Sequence, residues 1–155
     1  MQQNNFELVL KDLSETNKLG TKLGKSLIGG EVIELSGDLG SGKTTLVKSI
    51  VSASGSTEHV SSPTFVVSKE YKTPKFTIHH YDLYRLDDEG LIANELSDHY
   101  VDDNSVTIIE WGSSFVDVLP EKRIIIKLTP ISENSRSVEI IYPDNLEYLI
   151  EDLKA

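Results

Sequence analysis

The chain is 155 residues long, 38% hydrophobic and 26% charged, lacks cysteine, and carries a formal net charge of −10 from 25 acids against 15 bases. That size predicts one domain with a real core and little room for a separate lid, and zero cysteine excludes disulfides and thiolate metal sites. An acidic chain without a basic run gains nothing from counterion release along a nucleic-acid backbone, which argues against direct, general nucleic-acid binding and for a basic protein partner. No apolar run approaches the length of a membrane span, and residues 1–5 have neither a basic start nor an apolar stretch, so a cytoplasmic protein without membrane association is expected.

In chain order, Phe6-Glu7-Leu8-Val9-Leu10 alternates as a strand does. Ser14 is placed to cap a helix carrying Leu19, Leu23 and Leu27 on one face and ending at Gly29-Gly30. Residues 31–36 read as a strand, and helical spacing follows from about Lys43 to Ala53. Ser61-Ser62-Pro63-Thr64 is a turn leading into a strand over 65–71, and Lys72-Thr73-Pro74-Lys75 a hairpin connection to a strand over 76–82. An acidic, helical or irregular stretch includes residues 89–96, and Val106-Thr107-Ile108-Ile109 is a compact buried strand ending at Glu110. Residues 123–128 and 137–142 read as later strands. A last helix is expected from Asp144, with Glu147 completing a D-x-x-E capping box and Leu146, Leu149, Ile150 and Leu153 facing the sheet.

The strand over 31–36 and the helix after it flank Gly37-Asp38-Leu39-Gly40-Ser41-Gly42-Lys43-Thr44, which fits the phosphate-binding pattern G-x-x-x-x-G-K-[S/T] in the strand–loop–helix setting that pattern requires. Gly37, Gly40 and Gly42 permit positive φ and let backbone N–H groups approach phosphate oxygens, while the helix start points further N–H groups and its positive dipole end at the same anion. Lys43 is the residue to reach the β- and γ-phosphates, Thr44 to ligate Mg2+, and Thr45 to add a hydroxyl contact at the α-phosphate. Since several strands follow one another with no intervening helix, the expected fold class is α/β: a three-layer sandwich of the P-loop NTPase kind with a mixed, parallel plus antiparallel central sheet, in a single domain spanning 1–155.

Nucleotide binding becomes turnover only with further Mg2+ ligands and a group that places the nucleophile. Thr64 sits where a switch threonine would sense Mg2+ and the γ-phosphate, or is an ordinary strand-entry residue. In His79-His80-Tyr81-Asp82-Leu83-Tyr84-Arg85, alternation puts His80, Asp82 and Tyr84 on one face, so Asp82 could be a Mg2+ ligand with a histidine beside it, the start of a transition-metal site, or part of a polar strand. Glu110, at the carboxyl end of its apolar strand, is laid out as a Walker B acid able to polarise water or hold the Mg2+ shell, or is a solvent-exposed strand-end acid. Trp111, the single tryptophan, is either a packed aromatic or a pocket-edge residue. Between positions 87 and 103 lie Asp87, Asp88, Glu89, Glu95, Asp98, Asp102 and Asp103 with no Lys or Arg, a solvated face or a docking surface.

Taken together, the loop Gly-Asp-Leu-Gly-Ser-Gly-Lys-Thr-Thr, then Ser-Pro-Thr-Phe, His-x-Asp-x-Tyr-Arg-Leu, and Glu-Trp-Gly ahead of Leu119-Pro120 resemble the TsaE (formerly YjeE) family in order from about Leu35 to Pro120. The resemblance implies a small ATPase of tRNA threonylcarbamoyladenosine synthesis that binds ATP with Mg2+, hydrolyses it slowly alone, and works with the TsaB and TsaD proteins, meeting tRNA only through them. It further implies that Lys43 and Thr44 hold phosphates and Mg2+, that Thr64 is the switch residue, that Asp82 and Glu110 are the Mg2+-site acid and the acid near the γ-phosphate, and that Trp111 flanks the nucleotide. Ser41 stands where alanine is usual. The rival readings are a small P-loop kinase, a GTP-driven switch and a nucleotide-binding adaptor. Only Arg85, Arg123 and Arg136 are available to clamp a transferring phosphoryl group, and the one Asn-Lys pair, Asn17-Lys18, precedes the loop and lacks the Asp of guanine recognition.

Overall fold

The structure, a computed structural model, describes residues 3–38, 41–58, 60, 68–83, 90–111 and 119–154, without the side chains of 90–93. The elements are β1 (Gln3–Leu10), α1 (Leu13–Ser26), β2 (Val32–Ser36), α2 (Lys43–Ala53), β3 (Ser68–Lys72), β4 (Thr77–Asp82), α3 (Gly90–Tyr100), β5 (Ser105–Glu110), β6 (Ile124–Pro130) and β7 (Arg136–Pro143), followed by two short 3-10 helices, Asp144–Leu149 and Glu151–Leu153.

The strands form one sheet of seven in the order β1-β7-β6-β2-β5-β4-β3. Its centre is parallel, with β2 between β6 and β5 and β4 beyond β5. Its margins, β3 on β4 and β1 on β7 on β6, are antiparallel. Parallel neighbours need long crossovers, and helices α2 and α3 lie in them; antiparallel neighbours need only a turn, as at Thr73, whose N–H and hydroxyl both donate to the Phe76 carbonyl. The mixed sheet expected from the sequence is therefore present.

Alternation along the central strands sends side chains to opposite layers. Ile33, Leu35, Ile78, Val106, Ile108 and Ile126 pack beneath α1 and α2 with Leu19, Leu23, Leu46 and Ile50. Val32, Tyr81, Leu83 and Ile109 pack on the other side with Leu96 of α3 and with Leu119. Both faces of the sheet are covered, giving the three-layer α/β sandwich of the P-loop NTPase kind. Helices α1 and α2 approach closely at glycines: a Cβ on Gly24 would lie 2.5 Å from the Ile50 carbonyl oxygen.

Some local expectations are corrected. Helix α1 is capped by Asp12 rather than Ser14: its Oδ1 accepts from Glu15 N–H at 3.0 Å, and Glu15 Oε1 accepts from Lys11 N–H at 2.6 Å. The helix stops at Ser26, with Leu27 already extended, and the turn behind it is held by the Glu31 carboxylate, which accepts from the Ile28 and Gly29 N–H groups. The final helix is 3-10 and has no side-chain cap, because Asp144 Oδ1 instead accepts from Asn4 Nδ2 of β1 at 2.7 Å and Glu147 pairs with Lys154 at 3.1 Å. Its Leu146 and Leu149 are nonetheless buried, as expected. The start of the strand expected over 65–71 falls outside the described residues.

Candidate functional site

Strand β2 delivers the chain into the loop at its carboxyl edge. Gly37 has φ 148° and a Cβ there would lie 2.6 Å from the Leu128 carbonyl oxygen, so this position excludes a side chain on both conformation and space. Gly42 caps α2 with φ 102° and ψ 13°, a left-handed conformation whose requirement is purely conformational, since nothing lies within 4 Å of a Cβ there. Between them the Ser41 N–H donates to the Asp38 carbonyl at 3.0 Å, closing a turn; Leu39 and Gly40 lie outside the described residues. A glycine cap supplies no side-chain acceptor, and the first turn of α2 contains no acid, so the first N–H groups of α2 and its positive dipole end have neither a side-chain cap nor an acid of that turn to meet. Thr44 and Thr45 are half-buried in that turn.

Lys43 is buried, and its side chain folds back over the loop to donate to the Gly37 carbonyl. Its ammonium also lies 3.8 Å from the centroid of the Trp111 ring, a cation–π contact. Burial pushes the Lys43 ammonium below the usual lysine value, while the charges of Glu110, Asp82 and Asp38 act in the opposite direction. Trp111 reaches this place through a left-handed backbone, φ 64°, which a bulky residue adopts only when its surroundings hold it there.

The two carboxylates come from neighbouring parallel strands. Leu35 of β2 is level with Glu110 of β5, and Glu110 is level with Asp82 of β4, so the row ends two residues short of Gly37, on the α2 side of the sheet. Glu110 is only 3% exposed, and His80, fully buried one alternation back on β4, meets it at 2.6 Å between Nε2 and Oε2. Among the described residues His80 Nδ1 has no hydrogen-bond partner. A carboxylate only accepts, so the contact places an N–H at His80 Nε2, where it is donated to Glu110. The alternation expected for His80 and Asp82 is thus observed, but the histidine bonds the acid of the next strand rather than its own.

The row of glycines, the helix start and Lys43 match the chemistry of a nucleotide's phosphates. The oxygens of Thr44, Asp82 and Glu110 are hard donors of the kind Mg2+ takes, alongside phosphate oxygens and water. Among the described residues no group of His, Cys, Asp or Glu side chains is arranged to hold a metal alone, and nothing extends the His–Asp pair toward a transition-metal centre. Thr64, Tyr84 and Arg85 lie outside the described residues. No local pattern signals the pairing of His80 with Glu110 or of Arg136 with the loop, where Arg136 Nε donates to the Ser41 carbonyl at 3.0 Å across 95 positions.

The family model for threonylcarbamoyl adenosine biosynthesis protein TsaE matches residues 10–138. Similar proteins include the tRNA threonylcarbamoyladenosine biosynthesis protein TsaE of Rickettsia felis, 36% identical over 149 residues that cover 96% of this chain and 86% of that one. The protein of the same name from Bacillus subtilis is 35% identical over 126 residues, covering 80% of this chain and 78% of its own. In fold the chain is similar to the crystal structure of Bacillus subtilis YdiB, with a TM-score of 0.82 at 24% identity over 99% of this chain and 97% of that one, a likeness that bears on architecture alone.

Proposed function

The chain belongs to the TsaE family of tRNA threonylcarbamoyladenosine biosynthesis proteins, and from that premise we propose that it binds ATP with Mg2+ and hydrolyses it slowly at the loop between β2 and α2. The observation that carries this reading is that Asp82 and Glu110 stand level at the carboxyl ends of β4 and β5, while Lys43 at the start of α2 lies over Trp111, the residue after Glu110.

In this reading Lys43 exchanges the Gly37 carbonyl and the Trp111 ring for the β- and γ-phosphates, and the N–H groups of the loop and helix start hold the remaining phosphate oxygens. Thr44, Asp82 and Glu110 hold Mg2+, directly or through its water shell; Mg2+ when bound offsets the charge of the β- and γ-phosphate oxygens. His80 ties down Glu110 Oε2, which leaves Oε1 to accept a hydrogen bond from the attacking water and orient it. Thr64 acts as the switch that senses the γ-phosphate. Asp38, Leu39, Gly40 and Thr45 complete the contacts to nucleotide.

The energy released acts on a protein partner, the TsaB–TsaD pair, which meets tRNA while this chain touches tRNA only indirectly. The 155 residues work as one domain in the cytoplasm. A phosphoryl-transferring kinase fits less well, because Arg123 is engaged on the opposite layer, donating to Glu34 Oε1 at 2.8 Å and to the Pro120 carbonyl at 2.8 Å.

The test measures ATP hydrolysis by the chain alone, then with the TsaB–TsaD pair and tRNA. Lys43→Ala abolishes tight nucleotide binding, whereas Glu110→Ala spares binding and lowers turnover by about 100-fold, the usual worth of a positioned acid–base group. Unchanged turnover removes Glu110 from the chemistry. No partner stimulation together with no effect on multi-round tRNA modification overturns the functional reading.

A further inference from the structure

The phosphate loop is braced from outside by the β6–β7 hairpin. Strand β6 is level with β2 only as far as Ser36, opposite Lys127, and continues to Pro130 alongside the loop. The Leu128 carbonyl closes against Gly37 on the incoming side. On the returning side stands Arg136, the first residue of β7, with Nε donating to the Ser41 carbonyl at 3.0 Å.

The guanidinium is itself anchored: Nη1 donates to the carbonyls of Ser132, Glu133 and Ser135 at 3.0, 3.3 and 2.9 Å. The hairpin that supplies those carbonyls is closed by Ile131 N–H to the Ser135 carbonyl at 3.0 Å and by the paired hydroxyls of Ser132 and Ser135 at 2.7 Å. Arg136 thus ties the Ser41 carbonyl to the backbone of the hairpin through one rigid planar fork.

A peptide unit is planar and trans, so its C=O and the following N–H point in opposite directions. Holding the Ser41 carbonyl toward Arg136 therefore turns the Gly42 N–H the other way, away from the hairpin. Gly42 is the residue whose left-handed φ gives that peptide its freedom, so without an anchor the peptide can flip at little cost. Ser41 itself is buried, and its hydroxyl has no hydrogen-bond partner among the described residues.

We propose that Arg136 is a positioning residue for the phosphate loop: by holding the Ser41 carbonyl outward it presets the Gly42 N–H as a phosphate donor, and it adds a fixed positive charge at the loop's edge. This rests on the reading of the loop as the ATP site. The expected consequence is an effect on phosphate binding that exceeds any effect on the fold.

The experiment compares wild type, Arg136→Ala, Arg136→Lys and Lys127→Ala by calorimetric titration with Mg-ATP and by thermal melting without nucleotide. Lys127 supplies a control charge on the neighbouring strand, half-exposed and 3.8 Å from Glu139. Arg136→Ala weakens Mg-ATP binding about tenfold, the worth of one charge-assisted hydrogen bond, while the unliganded melting temperature stays near that of wild type. Arg136→Lys recovers part of that loss and carries the test if the alanine variant does not fold. In steady-state hydrolysis the loss falls on KM more than on kcat. Wild-type affinity in both Arg136 variants, or an equal loss in Lys127→Ala, overturns the proposal while leaving the ATP site intact. A wild-type chain that binds no Mg-ATP overturns the site reading and this inference with it.

Discussion

His80 and Glu110 form a close, buried side-chain pair at the candidate site, and their burial sets the stakes. A carboxyl group 3% exposed has lost nearly all its water and needs donors from the protein, and the Nε2–H of His80 is one such donor at 2.6 Å. Removing the histidine leaves the acid buried without that bond. His80→Leu is therefore expected to destabilise the protein by about 3 kcal/mol in urea unfolding, and adding Glu110→Leu to recover much of the loss, because replacing both partners removes the stranded charge. Additive losses in the two single variants and the double variant would show that the pair is not coupled. The acid itself was legible from its place at the end of an apolar strand. Its partner was not, since alternation put His80 beside Asp82, and only the strand register brought it within reach of Glu110.

Among the elements, the packing of α1 on α2 decides how the loop's helix is seated. Both helices cross at Gly20 and Gly24, where a Cβ would lie 2.4 Å from Ser49 Cβ and 2.5 Å from the Ile50 carbonyl oxygen. In an open helix, glycine to alanine stabilises by about 1 kcal/mol. Here the obstacle at Gly24 is backbone, which cannot rotate aside, so Gly24→Ala is expected to destabilise by about 2 kcal/mol and to lower the melting temperature. A rise in melting temperature would mean that the helices can separate freely. Capping shows how far local pattern reaches at this scale. The D-x-x-E spacing occurs at Asp12–Glu15 and again at Asp144–Glu147, but it caps an α-helix only at the first, because Asn4 of β1 draws Asp144 away at the second. From the sequence the box is expected at Asp144 and the first cap at Ser14, and the structure reverses both.

Taken as a whole, the molecule carries its −10 charge unevenly, and part of the acidic stretch around α3 is occupied internally. Glu95 accepts from the Tyr81 hydroxyl at 3.0 Å, and Asp102 accepts from the Asn104 N–H and the Ser105 hydroxyl, each at 2.9 Å. These bonds stitch α3 and the turn after it to β4 and β5 while leaving Asp98, Asp102 and Asp103 on the exposed side. If this face docks on the TsaB–TsaD pair, Asp98→Lys weakens association by about threefold at low ionic strength and has little effect at high salt, as measured by titration calorimetry. Equal affinity at both salt concentrations would assign the acids to solvation alone.

The sequence by itself determined the strand–loop–helix around Gly37–Thr44, the placement of Asp82 and Glu110 at strand ends, the mixed sheet and the resemblance to the family, because each is read from local patterns and their order along the chain: a helix start, an alternation of apolar side chains, strands that follow one another with no helix between. Only the tertiary structure decided that His80 serves Glu110 across 30 positions, that Arg136 holds the Ser41 carbonyl across 95, and which of two identical capping patterns closes a helix. Those outcomes depend on strand register and on where a hairpin comes to rest, and both follow from packing the whole sheet between its two helical layers rather than from any segment's own preference.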